Sequence, residues 1–416
     1  MTDKTYSLYP IDKGALPSHW NFLPIGAVID VAQYGTNAPS SNEGNTPVVG
    51  MKDISGGKIF TDQLSAVDLD KNEQKKFLLG KGDLLLNRTN SYDLVGKIGI
   101  YDSDKKAAFV SYLVRLKVNI KKADTWYVNY WLNSYPAQKT IKRIATRAIS
   151  QANINPTEFK KHCYIPLPPK NEQEKIAACL STWDTAIEKT ERLIAAKEAV
   201  KKGLMQRLLT GKKRLPCFTE PWHEFRLGDL FKERSERANN HLPLLSITRE
   251  EGVIPREDVG RKDTSNADKS KYLRICPGDI GYNTMRMWQG VSALSAYEGI
   301  VSPAYTIATP KKGVDGEFIA YLFKLPKPIH LFYRYSQGLT SDTWNLKFHH
   351  FSEIKVTIPD IEEQKAIARV LKTCDAELSL LRNKLAALQK QKRGLMQKLL
   401  TGQWLVKAPK AKEVSP

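Results

Sequence analysis

A chain of 416 residues has room for roughly two or three domains, each burying its own core. With 41% hydrophobic and 26% charged residues the composition is that of a globular protein, and no apolar run approaches the roughly 18 residues a membrane span needs. Sixty-four Lys and Arg against 44 Asp and Glu leave a net charge of +20, which favours a polyanionic partner, nucleic acid foremost, through Coulomb attraction and counterion release. An acidic protein is the other partner such a balance allows.

The opening segment "MTDKTYSLYPIDKG" lacks a basic stretch followed by an apolar one, so no secretory leader is expected. Cys163, Cys179, Cys217, Cys276 and Cys374 are scattered without a C-x-x-C pair, and they read as reduced thiols of a cytoplasmic protein. Residues 1–166 read as a mixed α/β domain. Its segments "HWNFLPIGAV", "GKGDLLLNRTN" and "FVSYLVRLKVN" include a Gly82-Asp83 turn that feeds an apolar strand.

Residues 167–212 predict one long helix. It follows the proline turn "IPLPPKNEQ", where Asn171 and Glu174 have the spacing of a capping box, and Gly211 offers a left-handed cap. An apolar residue recurs every three or four positions through Ile176, Leu180, Trp183, Ile187, Thr190 and Ile194. The same register continues through Lys197, Lys201, Leu204 and Leu208. That 3.5-residue period marks a coiled-coil seam.

A second mixed domain follows over residues 213–357. Its edges echo the first: Trp222 matches Trp20, Leu227 and Gly228 match Ile25 and Gly26, and Gly278-Asp279 matches Gly82-Asp83. Further on, Asn283 matches Asn87 and Val301-Ser302 matches Val110-Ser111. Between these anchors the two domains have diverged.

Residues 358–403 predict a second long helix, opened by "VTIPDIEEQ" with Asp360 and Glu363 at capping-box spacing and closed by Gly402. Its seam comprises Ile367, Leu371, Cys374, Leu378, Leu381, Leu385, Leu388, Leu395 and Leu399, with Lys392 in the missing slot. Laid on the first helix at an offset of 191, it is identical at 18 of 40 positions and ends "GLMQKLLTG" where the first ends "GLMQRLLTG". The chain is thus a tandem duplication with an approximate two-fold relation between its copies. The expected fold is α+β: two mixed α/β domains joined by two long helices paired antiparallel as an intramolecular coiled coil. Packing of each helix on its own domain or on another chain is the alternative. Residues 404–416 are short, basic and expected to be disordered.

The paired "EQ" helix starts, the two "GLMQ-x-LLTG" endings, the "GDLLLNRTN" and "PGDI" turns and the two-copy layout resemble the specificity (S) subunit of Type I restriction-modification systems over nearly the whole chain. The resemblance implies two target-recognition domains, each reading half of a bipartite DNA sequence, with the helices setting the gap. It also implies two methyltransferase (M) subunits that modify adenine N6 with S-adenosylmethionine. Restriction (R) subunits using ATP and Mg join through the complex, and no catalysis belongs to the chain itself.

Major-groove reading calls for Arg or Lys against guanine and Asn or Gln against adenine, with other polar groups on phosphates. In the first domain the candidates are Asn87, Arg88, Thr89, Asn90 and Lys97, then Arg143, Arg147, Ser150, Gln151 and Asn153. In the second they are Asn283, Arg286, Trp288 and Gln289, then Tyr333, Arg334, Gln337, Thr340, Ser341 and Trp344, with Gly290 and Gly338 placed to let backbone approach DNA. Asn87 has the alternative role of bracing its turn. The matched tails point to partner contact through Leu204, Met205, Gln206, Leu395, Met396 and Gln397, or else to packing inside the chain's own core.

Enzymatic readings are weaker. The chain has no P-loop and no Asn-Pro-Pro-aromatic motif. "PDIEEQK" is loosely nuclease-like but is better explained by helix capping, and His349-His350 lacks ligands at metal spacing. A coiled-coil docking protein and a standalone nuclease remain the rival readings.

Overall fold

The computed structural model describes residues 15–41, 43–147, 151–237, 241–249, 251–260, 268–340 and 343–406. The chain divides into two compact units. Unit 1 joins Met1–Lys189 to Leu385–Pro416, and unit 2 is Thr190–Lys384. Each unit holds one mixed domain and a stretch of both long helices.

Unit 1 is built on a six-stranded sheet in the order Ile29–Tyr34, Leu113–Val118, Leu84–Asn87, Ile98–Ile100, Lys58–Ile59, Ile54–Ser55. Neighbours are antiparallel except where Lys58 meets Ile100. Unit 2 repeats the first four places as Phe231–Glu233, Tyr305–Pro310, Ile280–Asn283 and Ser292–Leu294, all antiparallel. The Gly-Asp turns enter the same strand of each sheet. Asp83 accepts the Gly80 N–H at 2.9 Å and Asp279 the Cys276 N–H at 2.8 Å. Both carboxylates are buried against an arginine, Arg115 at 3.6 Å and Arg234 at 2.8 Å. A strand pair clasps the two ends of each domain: Asn21–Pro24 with Tyr164–Leu167, and His223–Arg226 with Lys355–Ile358.

The long helices run Lys170–Leu208 and Ile361–Leu400, and Gly211 and Gly402 close them at φ 68° and 70°. Their starts depart from the expected capping boxes. Asp360 does accept the Glu363 N–H at 3.0 Å, but the Glu363 carboxylate turns instead to Arg214 and Trp222. The first helix is already running at Lys170, so Asn171 lies inside it, and the Pro169 carbonyl takes the Glu172 and Gln173 N–H groups.

Every seam position named above is buried or half-buried. In unit 1, Ile176 and Leu180 share a core with Leu395, Leu399 and Leu400, while Lys392 meets Asp184. In unit 2, Leu208 and Leu209 share a core with Ile367 and Leu371, while Lys201 meets Asp375. Numbers rise along one helix as they fall along the other, so within each unit the two helices are antiparallel. Each core takes its last leucines from the helix of the other sequence copy. The polar slot in the seam is therefore filled by an ion pair. It is extended by Tyr130, whose hydroxyl donates to Asp184 at 2.7 Å, and by Tyr321, which donates to Asp375 at 2.6 Å. Burial first, then the neighbouring carboxylate, pushes both phenols well above their ordinary pKa, so each remains a donor.

The five cysteines are unpaired, and burial pushes the Cys163 thiol up to about 12. Among the described residues no helix is long and apolar enough to cross a membrane.

Candidate nucleic-acid interface

In unit 1 the two candidate segments converge. Thr89–Asn90, at the exit of the central strand, pairs antiparallel with Ala152–Asn153, which pairs in turn with Thr146–Arg147. The result is a small three-stranded sheet joining residues some sixty apart in sequence. Asn153 is its hub, since its side-chain oxygen accepts from Arg88 Nη2 at 3.1 Å and from Thr89 Oγ1 at 3.2 Å. Arg88 also lies over the Tyr34 ring at 4.8 Å, and Arg147 covers the Tyr92 ring at 3.6 Å. Stacking of this kind holds a guanidinium in place while its edge stays polar. Arg147 and Gln151 are exposed, Asn90 is half-buried with its amide reaching Met51 Sδ at 3.5 Å, and Arg143 sits in the last turn of the helix Tyr135–Ile144.

Two unit 1 candidates stand elsewhere. Asn87 is buried, because its strand pairs with Leu113 and its backbone closes on Lys97 and Gly96. Its side-chain amide is buried with neither polar atom hydrogen-bonded. Lys97 is exposed but lines a cavity of about 240 Å³ with Lys58, Trp126 and Asn133. Ser150 lies outside the described residues, as does Ser341 in unit 2.

Unit 2 assembles the matching segments with different chemistry. Asn283 ends the equivalent strand, and its side chain accepts the Met285 N–H at 3.0 Å, bracing the turn. Arg286, exposed, leads into the short turn Met287–Gln289 that carries Trp288 and Gln289. Tyr333 and Arg334 are exposed on the helix Pro326–Tyr335. A hairpin follows, closed by Gln337 and Asn345, which exchange both backbone hydrogen bonds at 2.8 Å, and Thr340 lies on its loop. Trp344 brings the segments together, with ring centres 5.2 Å from Trp288 and 4.9 Å from Tyr333. The glycines are required by these loops themselves. A Cβ on Gly290 would meet Ile329 at 3.0 Å, and one on Gly338 would meet the Thr343 carbonyl at 2.6 Å.

The turn bearing Trp288 is anchored from beneath. Lys324 donates to the carbonyls of Gly290 at 2.9 Å and Ser292 at 2.6 Å. Burial, with Arg249 nearby, lowers its pKa to about 8. Sequence reasoning passed over this lysine, which no motif announces. It also passed over Tyr130 and Tyr321, and over Asp124 and Asp315, whose N–H groups Gln173 and Gln364 accept at 2.8 and 2.9 Å. Those pairs repeat at the same offset of 191, a signal available by carrying the helix alignment upstream.

The tail residues divide. Leu204, Met205, Leu395 and Met396 pack half-buried against the cores of their units, so packing accounts for them. Gln206 and Gln397 are exposed. The nuclease-like Glu363 is fully buried and held by Arg214 at 2.6 Å through each oxygen. The His349 and His350 ring centres lie 3.9 Å apart with their planes tilted by 45°, and no cluster of metal-ligating side chains occurs among the described residues.

A family model described as "Type I restriction modification DNA specificity domain" matches residues 17–198 and again 219–390. The chain is 28% identical to the putative type I restriction enzyme MjaX specificity subunit of Methanocaldococcus jannaschii, over 95% of this chain and 96% of that one. It is 26% identical to the MjaVIII specificity subunit of the same organism, over 81% of this chain and 82% of its relative. The crystal structure of a Type I restriction-modification S subunit from M. genitalium superposes with a TM-score of 0.59 at 17% identity, over 96% of this chain and 98% of that one, a likeness of fold.

Proposed function

The chain belongs to the family of Type I restriction-modification DNA specificity subunits, non-catalytic components with two target-recognition domains, and from that premise we propose how it reads DNA. Each unit contacts one half of an asymmetric two-part site, and the long helices set the number of base pairs between the halves. One observation carries this reading. Both units use the same strand frame to gather two distant loops onto one edge, yet the side chains gathered are unlike: Arg88, Arg147 and Asn153 in one, Arg286, Trp288 and Trp344 in the other. Unlike edges on like frames suit unlike half-sites. A helix of 39 residues rises about 58 Å at 1.5 Å per residue, ample against the roughly 34 Å between successive major-groove faces.

We assign docking of two methyltransferase subunits to helix surface that includes the exposed Gln206 and Gln397, and of restriction subunits to the resulting complex. S-adenosylmethionine, ATP and Mg belong with those partners, and the cytoplasm is the expected compartment. Co-expression with the methyltransferase subunit and genome-wide mapping of adenine methylation tests the reading. A two-part motif with a fixed gap is expected, and inserting a helical turn into both long helices should change the gap. An ungapped motif, or a gap indifferent to helix length, overturns it. A docking protein would instead bind DNA weakly and without salt dependence, and a nuclease would cut with metal alone.

A further inference from the structure

Unit 2 carries a group of exposed apolar side chains at the edge that gathers its two loops. Leu339, two residues past Gln337, is 100% exposed, and Met285 and Tyr333 are 45% and 44% exposed. Single exposed hydrophobic residues are ordinary, but a group of them around an aromatic cluster marks a contact surface. These belong to one group. The Met285 carbonyl accepts the Trp288 indole N–H at 3.0 Å, Trp288 meets Trp344, and the Trp344 N–H donates to the carbonyl of Thr340, next to Leu339.

Hydrogen bonds join the described residues of this loop to one another and to Thr284. Thr343 Oγ1 accepts from the Thr340 N–H at 3.1 Å and donates to the Thr340 carbonyl at 2.9 Å, and the Leu346 N–H ties the base of the hairpin to Thr284 at 2.8 Å. With its indole N–H committed to Met285, Trp288 offers neighbours an apolar face. The exposed Arg286 and Arg334 lie in the same two segments and supply positive charge for phosphates.

Resting on the reading of the chain as a DNA specificity subunit, we propose that Leu339 and Met285, backed by the Trp288–Trp344–Tyr333 cluster, are specificity-determining residues that recognise 5-methylpyrimidines, namely thymines, in the half-site of unit 2. The 5-methyl group of thymine is the apolar feature of the major-groove edge, and apolar side chains distinguish it from bases that lack it. Removing one such contact weakens binding by about tenfold, the usual order for a single base-pair change. The Arg88, Thr89, Asn153 and Arg147 side chains of unit 1 offer hydrogen-bonding groups instead.

The test uses the full chain assembled with its methyltransferase subunit. Methylation mapping first gives the two-part motif, and failure at that stage defeats the underlying functional reading. Duplexes of the motif are then made with each thymine singly replaced by deoxyuridine, which removes only the methyl. The expected result is a loss of about tenfold at one or more thymines of one half-site. The Leu339→Ala and Met285→Ser variants, both at exposed positions, should bind thymine and uracil there alike. Equal binding of uracil throughout both half-sites by the wild-type complex overturns the proposal. So does equal weakening on thymine and uracil in both variants. Loss of assembly with the methyltransferase subunit at an unchanged thymine preference would assign the surface to a protein partner and overturn it as well.

Discussion

Lys392 reaches Asp184 between the long helices of unit 1, with only 14% and 13% of the two side chains exposed, and lies over the Tyr130 ring at 5.2 Å. The same three residue types recur in unit 2 as Lys201, Asp375 and Tyr321. A charged pair in a largely apolar seam favours one register, because a slip leaves both charges without a partner. Asp184→Ala should therefore lower unfolding stability by about 2 kcal/mol, less than for a fully buried pair because some water reaches these groups. The double variant Asp184→Leu with Lys392→Leu should recover most of that loss. Equilibrium denaturation of the three proteins measures it, and equal losses in single and double variants would show that the pair does not matter.

The tail leucines give a second expectation. Leu399 and Leu208 are 4% and 2% exposed, in the cores of unit 1 and unit 2 respectively. Leu399→Ala should cost about 2–5 kcal/mol and raise amide exchange around Trp20 and Tyr127. Leu208→Ala should do so around Trp222 and Phe318. Hydrogen exchange resolved by segment separates the two. An effect confined to the helix that carries the substitution would contradict the shared cores.

Lys324 provides a pH dependence whose sign follows from its lowered pKa. Below about 8 the folded and unfolded chains both carry the proton, so the cost of burying the charge is fully present. Between about 8 and the ordinary value of 10.5 the unfolded chain holds a proton that the folded one has released, so stability rises with pH. Lys324→Met should flatten that rise relative to the wild type in urea titrations across the same window. It should also weaken DNA binding, by loosening the turn that carries Trp288.

At the edge of unit 1, Arg147 is exposed and lies over the Tyr92 ring, and on the proposed function it contacts a phosphate. Arg147→Ala should weaken binding evenly across sequences and reduce the slope of log K against log salt by about 1. Asn153→Ala frees both Arg88 and Thr89 and should instead relax discrimination at one position of the half-site. Binding isotherms at three salt concentrations, on cognate and single-substituted duplexes, distinguish these outcomes.

The helices were legible because their chemistry is local. Seam spacing, capping glycines and the identical tails each state their role within a few residues, and every named seam position is at least half-buried. Pairings between distant segments were not legible. Nothing around Asn87 indicates that its strand lies against Leu113, which buries the amide. Nor does "RIATR" announce that Arg147 will stack on Tyr92 or that Asn153 will receive Arg88. The capping-box reading of Glu363 failed for a related reason. A local rule competed with Arg214 and Trp222, brought in by the fold, and the paired, buried arrangement won.

The joints at the helix ends have an evolutionary consequence. Gly402 seats beside Pro17 and Trp20, and Gly211 beside Trp222, so each reading domain is completed by a plug made in the other half of the gene. The two plugs differ at one position in nine, so the joint has stayed constant while the loops of the two domains diverged.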